Sequence, residues 1–405
     1  MDALDVSLSS HDPLILGIES SCDETAAAVV RGGKRVLSSV VASQVDIHRK
    51  YGGVVPELAS REHLRQIVPV VREAVAQAGL TLRDIDAVAV TQGPGLVGAL
   101  LVGMTYGKVL AMSLGKPLLG VNHLAGHVHA VFLEGHMTGA AVPQLPALCL
   151  IVSGGHTMLY RVADESGYSA ATPGERPFAY TRVGGTRDDA AGEAYDKVAR
   201  MLALGYPGGP VVDQLAAHGD PKAIRFGTPK MTGNQNDFSF SGIKTAVLYH
   251  LQKHKELEPE ISERREALAR GERSAAALKP LCSQATLDLI ASFQHAVVED
   301  LVMRTLRAAE ELRVRSILVT GGVAANRELR VRFEAEAPRV GVTAHFPSRA
   351  LSTDNAAMIA AAGYPLSAAG RFADSMLNAD PQLALAATPN KNVREEIVSR
   401  QSRPA

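Results

Sequence analysis

The chain has 405 residues, more than one hydrophobic core normally organises, which points to two domains or one bilobal domain. Its 42 basic and 42 acidic residues cancel, which excludes the global positive charge of a dedicated nucleic-acid binder; any RNA contact must be a local patch or come partly from a partner. Three cysteines, Cys22, Cys149 and Cys282, are odd in number and far apart, as reduced thiols are. The N-terminus lacks a signal-peptide pattern and no apolar run approaches the ~18 residues of a membrane span. The expected compartment is the cytoplasm, with no membrane contact.

Leu14–Glu19, Thr25–Val30 and Arg35–Val41 read as three strands joined by short turns, an antiparallel meander. Leu64, Ile67, Val68, Val71 and Val75 mark an apolar helical face in which Pro69 predicts a kink or a junction of two pieces. Ile85–Val90 is a buried strand entering Gln92-Gly-Pro-Gly95, and the helix after it carries Gly98, Gly103 and Gly107, small residues suited to close packing. Pro117–Val121 is another buried strand. The second half opens the same way: strand Ala147–Val152, turn Ser153–His156, strand Thr157–Val162. Helical patterns follow at 190–204, 210–218, 241–252 and 285–312, then strand Ser316–Thr320, a Gly321-Gly322 turn and a helix near Asn326. Residues 164–182 read as an irregular insertion carrying Arg176 and Arg182, and 251–280 as a solvated, mixed-charge helical insertion.

This order, hairpin first, helices, then a glycine turn after a strand, resembles the two-lobed actin/sugar-kinase/Hsp70-like α/β fold with a nucleotide cleft between lobes. The expected lobes are 12–125 and 126–350, the second holding both insertions, with a closing helix at 351–380 and a tail over 381–405, poorly ordered beyond Thr388.

His123 and His127 stand one helical turn apart, so both rings can reach one divalent ion. In a chain with 13 histidines such a pair needs company. Asp354 could complete a His/His/Asp set, although a lone Asp before a small-residue helix is more often an N-cap. Three turns, at Ser20–Glu24, Ser153–His156 and Gly321-Gly322, the last two carrying glycines, offer backbone N–H groups to anions. Asp188–Lys197 places carboxylates on a helix, and Tyr206–Asp213 adds a glycine turn and a carboxylate suited to ribose hydroxyls.

Longer motifs carry a more specific resemblance. Gly17-Ile-Glu-Ser-Ser-Cys-Asp-Glu-Thr25, Tyr51–Arg61, Gly93–Leu100, Val121–Ala130, Val152-Ser-Gly-Gly-His-Thr157, Asp188–Lys197, Phe238–Lys244 and Gly321–Arg327 resemble the bacterial TsaD/Gcp family, tRNA adenosine threonylcarbamoyltransferases once labelled O-sialoglycoprotein endopeptidases. The resemblance spans roughly residues 14–370. It implies transfer of threonylcarbamoyl from its mixed anhydride with AMP to N6 of the adenosine 3′ of the tRNA anticodon, the N6-threonylcarbamoyladenosine (t6A) modification. Metal ligands fall on His123, His127 and Asp354, and adenylate contacts on Ile151, Val152, Ser153, Gly154, Gly155, Asp196, Gly209, Asp213 and Asn326. One divalent metal is implied, iron(II) ahead of zinc, although a His/His/Asp set does not itself choose. tRNA, a smaller paralogous subunit and an ATPase are the implied partners. Asp23, on the first phosphate turn, is the hypothesis for the proton acceptor.

A metalloprotease helix needs a glutamate beside its first histidine, and Leu124 stands there; that reading fails on chemistry. A small-molecule kinase of the same fold accounts for the phosphate turns and leaves the metal set unexplained. A non-catalytic scaffold subunit has little need of either.

Overall fold

A computed structural model of the chain describes residues 12–165, 176–227 and 231–386. Its framework is two five-stranded sheets with one topology. In the first, β1 (Leu14–Glu19), β2 (Glu24–Arg31) and β3 (Arg35–Ser43) form the antiparallel meander, and β4 (Ala87–Gly93) and β5 (Leu118–Asn122) add in parallel, in the order β3-β2-β1-β4-β5. The second repeats this with β6 (Ala147–Val152), β7 (Thr157–Asp164), β8 (Phe178–Gly185), β9 (Ser316–Thr320) and β10 (Thr343–His345), in the order β10-β9-β6-β7-β8. β1, β6 and β9 are nearly continuous apolar runs because helices cover both of their faces.

Helices α1 (Val45–Arg49), α2 (Pro56–Gln77) and α3 (Val97–Leu114) belong to the first half. Pro69 does not divide α2 into pieces: one helix runs through it. Valines and leucines of α2 and α3 pack on one face of the first sheet. α3 is the one described helix long and apolar enough to cross a bilayer, against the expectation that no run reaches that length. Here it lies on the sheet: a Cβ on Gly107 would stand 2.2 Å from Val90, and one on Gly103 2.3 Å from Ser20.

The opposite face of that sheet holds α4 (His123–Thr138) and, from the far end of the chain, α13 (Ala356–Ala368). α4 is buried on almost every side. Ala130 and Leu133 join the first sheet's core, while Leu124, Val128, Val131 and Phe132 join Cys149, Ile151 and Leu318 of the second. An all-round apolar helix of this kind must sit between two layers, and this one joins the two halves.

Helices α5 (Ala191–Met201), α6 (Gly208–Ala216), α7 (Ser241–Lys253), α8 (Glu258–Ala269), α9 (Ala275–Leu278), α10 (Gln284–Glu311) and α11 (Arg327–Glu336) cover the other face of the second sheet, and α12 (Arg349–Ser352) precedes α13. The segment 251–280 is helical as expected but not a solvated appendage. Leu257, Ile261, Ala267, Ala275 and Leu278 are buried, and the fully buried Arg264 donates to the carbonyls of Leu202 and Leu281. Its buried residues include a charge, Arg264, so no clean apolar stripe marks the buried face in the sequence. Residues 178–182 of the expected irregular insertion belong to edge strand β8, paired with β7; residues 166–175 lie outside the described residues. Of the expected tail, 381–386 are described: Gly95 N donates to Pro381 O, and Asn122 Nδ2 to Leu383 O. All three cysteines are unpaired.

α13 approaches β1 through small residues on both sides. A Cβ on Gly17 would lie 2.3 Å from Ala356 O and 2.9 Å from Ala360 N, backbone atoms that cannot yield without moving the helix. Gly17→Ala is expected to lower unfolding free energy by about 1–3 kcal/mol through overpacking, read as an earlier denaturant midpoint with unchanged slope.

Candidate active site

Asn122 begins α4 by accepting from Leu124 N and Ala125 N at 2.9 and 3.4 Å. This cap makes His123 the first helical residue and puts His127 one turn on, facing the same way. Asp354 arrives from the loop before α13. It is not the N-cap of that helix: Asn355 caps it, accepting from Met358 N at 3.0 Å and donating to the carbonyls of Leu351 and Thr353. The Asp354 carboxylate is thereby left to the histidines, its Oδ1 lying 3.5 Å from His123 Nε2 and 3.2 Å from His127 Nε2. One donor atom from each of the three residues falls within 4.8 Å of the others.

The donors fit a divalent metal. Neither ring nitrogen of the buried His127 makes a well-aligned hydrogen bond among the described residues, and Nε2 has only the Asp354 carboxylate at 3.2 Å, a costly state unless a metal is coordinated there. Two imidazoles and one carboxylate suit iron(II) or zinc and leave positions for a substrate. Burial works against charge on His123, but the carboxylates of Asp354 and Glu19 outweigh it and lift its pKa to about 9. Asp354 is half-buried; desolvation pushes its carboxyl up, but the histidines outweigh this and hold it far below the usual range. The site is a preassembled patch of opposite charges.

Residues that the metal motif did not point to stand around it. Glu19, fully buried at the end of β1, accepts from His123 Nδ1 at 3.0 Å, and Ser21 Oγ lies 3.2 Å from the same nitrogen. The signal was available, since Glu19 is the single charge in an otherwise apolar strand. The His156 ring lies 6.4 Å from that of His123, and burial, with the charges of His123 and His127, pushes its pKa down to about 4.

The residues that the resemblance assigns to the adenylate lie in the second half. Ile151 and Val152 are wholly buried with side chains in opposite cores, so a ligand meets only their backbone. Ser153, Gly154 and Gly155 form the β6–β7 turn, closed by Ser153 N donating to His156 O at 2.7 Å. A Cβ on Gly154, Gly155, Gly209 or Gly322 would meet nothing within 4 Å, so this wall is open where a phosphate or nucleoside would lie. Gly321, at φ +96°, holds the third turn against Val152. Asp196 on α5 accepts from Gly208 N at 2.7 Å, and burial pushes its carboxyl up to about 6. Asp213 on α6 takes the backbone N–H and Nε of Arg327 at 3.2 and 3.1 Å, which brings it beside Asn326. Asn326 caps α11 and donates to Gln294. Two of the carboxylates read as helical are not on α5. Asp188 and Asp189 precede it, the first accepting from Ser239, Phe240 and Ser241, the second pairing with Lys197 and Lys244.

Asp23 stands between the two groups. Burial raises its pKa, helped by the charge of Asp354 and opposed by a hydrogen bond from Cys22, and its own charge raises Asp196 across the cleft. The halves also touch directly, Arg49 Nε donating to Tyr206 O at 3.3 Å and Arg200 to Gly52 O.

A family model described as tRNA N6-adenosine threonylcarbamoyltransferase, TsaD, matches residues 35–361. The chain belongs to the TsaD family. It is 56% identical over 388 residues to the tRNA N6-adenosine threonylcarbamoyltransferase of Koribacter versatilis, covering 92% of this chain and 99% of that one. It is 52% identical to the same enzyme of Symbiobacterium thermophilum, covering 92% and 97%. Among solved structures it is similar to HypF of T. kodakarensis, with a TM-score of 0.51 at 14% identity over 89% of this chain and 48% of that one, a likeness of fold. The two-lobed actin-like architecture expected from the sequence is what the TsaD chain has.

Glu24 offers a pH test of the cleft. Burial pushes its carboxyl from 4.5 up to about 8, against a hydrogen bond from Ser43. The native state therefore binds more protons than the unfolded chain across that window, and stability falls as pH rises through it. Denaturant midpoints should drop between pH 5 and pH 8, and Glu24→Gln should flatten the decline; equal slopes in both proteins would contradict this.

Proposed function

We propose that His123, His127 and Asp354 hold one divalent metal beside an adenylate pocket, and that this arrangement carries the family's reaction. The chain is a tRNA N6-adenosine threonylcarbamoyltransferase: it moves the threonylcarbamoyl group of threonylcarbamoyl-AMP to N6 of the adenosine 3′ of the anticodon and releases AMP. The observation that supports the site is the meeting of His123, His127 and Asp354, the last more than 220 positions further on, with the nitrogens of His127 otherwise unpartnered.

In this reading the backbone N–H groups of Gly154 and Gly155 hold the phosphate of the adenylate, on a turn that Ser153 N–H closes. Asp196 and Asp213 accept from ribose hydroxyls, with Gly209 leaving room for them, and Asn326 borders the nucleoside. A metal ion bound by the three ligands supplies a Lewis acid that orients the threonylcarbamoyl carbonyl. The exocyclic amine attacks the carbamoyl carbon, the bond to the phosphate oxygen breaks, and AMP leaves with that electron pair. Asp23 takes the amine proton, a role its raised pKa and its place between Asp354 and Asp196 suit.

Iron(II) is the metal carried forward, with zinc the alternative, because two imidazoles and a carboxylate with open positions serve both. The partners in this reading are tRNA, a smaller paralogous subunit and an ATPase. Leu64, Val68, Leu101, Val109 and Met112 are exposed on α2 and α3, Met112 at 77% and Leu64 at 65%, and such a strip is a surface a subunit would cover.

The test is transfer from threonylcarbamoyl-AMP to unmodified tRNA with the partner subunits present, nucleosides read by mass spectrometry. His123→Ala and Asp354→Ala are expected to lose bound metal, by elemental analysis of anaerobically purified protein, and to lose product by at least 100-fold. Asp23→Ala should lose product while keeping metal. Full activity in the metal-free variants would sink the metal reading, and near-normal modification by Asp23→Ala would remove its role.

A further inference from the structure

We propose that Glu19 is a positioning residue for the metal, accepting the Nδ1–H of His123 so that Nε2 is left for the ion, and pinning the first phosphate turn to the same carboxylate. This rests on the metal reading above and extends it to a residue outside the ligand set.

The carboxylate has three donors. Its Oε2 accepts from His123 Nδ1 at 3.0 Å and from Thr91 Oγ1 at 2.8 Å, and its Oε1 accepts from Ser21 N at 2.5 Å. A fully buried carboxylate is tolerable when donors surround it; these come from three different elements, β4, α4 and the turn after β1. Since a carboxylate only accepts, Nδ1 must carry the proton. In the metal-free protein the charged ring also carries a proton on Nε2, the nitrogen that faces Asp354 at 3.5 Å; a bound ion would displace that proton while Glu19 keeps the one on Nδ1. An outer carboxylate that fixes a ligand's tautomer also fixes its ring orientation and raises its basicity, worth about 10–100-fold in metal affinity where such partners have been removed. Ser21 N–H binds the other oxygen of the same group, so the Ser20–Glu24 turn and the metal-facing ring are held by one rigid side chain.

Glutamine is nearly isosteric, yet it reverses the chemistry. Its single oxygen is claimed by Ser21 N–H, and its amide N–H groups then face Nδ1 and Thr91. Nδ1 must give up its proton, which moves to Nε2 and blocks the ligand position.

The test is optical titration of the metal-free full-length chain with cobalt(II), a probe whose absorption bands report ligand number. Glu19→Gln is expected to bind cobalt(II) about 10–100-fold more weakly than wild type, with the metal-free thermal midpoint little changed. Equal affinity with unchanged bands would overturn the proposal. Should Glu19→Gln fail to fold, wild-type protein carrying zinc and 15N-labelled histidine decides: the His123 signals, assigned by their loss in His123→Ala, must show protonated Nδ1 and metal-bound Nε2. The opposite tautomer would overturn it. Undiminished cobalt(II) affinity in His123→Ala would instead defeat the metal reading itself, while loss in that variant without loss in Glu19→Gln defeats only the role of Glu19.

Discussion

The burial of α4 between the two sheets is the constraint on which the rest of the molecule depends. Its apolar circumference serves two cores at once, Ala130 and Leu133 in one, Val128 and Phe132 in the other. That position carries the imidazoles at its first turn out of water. Two buried imidazoles need compensation, and it comes from opposite ends of the chain, Glu19 from the first strand and Asp354 from the loop before the last helix. Asp354 reaches the histidines because α13 closes onto β1, an approach that Gly17 permits. Assembly of the site and closure of the first sheet's second layer are thus one event.

The cleft beside it is acidic, and burial makes it more protonated than a surface would be. Glu24 and Asp196 titrate near 8 and 6, and Asp23 is raised by the same cause. An incoming adenylate is anionic, so it must find its positive partners elsewhere. The β6–β7 turn offers backbone N–H groups, and the charged imidazole of His123 lies close by. A carboxylate kept partly protonated near neutral pH repels the adenylate less, and it is better matched to taking a proton from an amine under attack. Arg49 and Arg200 meanwhile tie α1 and the turn after it to the opposite half, so the Tyr51–Arg61 motif meets that half at Gly52.

Both sheets are built alike, a meander followed by two parallel strands, and the site lies where the equivalent ends of the two meanders face each other. The Ser20–Glu24 turn leaves β1 and the Ser153–His156 turn leaves β6. Each occupies the same topological position in its half, so one lies beside His123 and the other at the open wall of Gly154 and Gly155.

Period and turn chemistry determined a good deal unaided. Apolar runs bounded by glycine placed β1, β4, β6 and β9, and their order already implied two lobes, since hairpins and parallel strands cannot be exchanged without changing the connections. The i, i+4 spacing of His123 and His127 is local geometry, and the long motifs carried the family. Tertiary structure decided what depends on distant partners. Asp354 and Asn355 are both competent caps, and only the position of the histidines settles which one serves the helix. The face of α8 that holds Arg264 is buried by Leu202 and Leu281, which local periodicity cannot see. β8 is an edge strand defined by its pairing with β7 and not by a pattern of its own. Glu19 was visible as one charge in an apolar strand, but its meaning required the ring of His123, more than 100 residues away, because a buried charge is explained by what surrounds it in space.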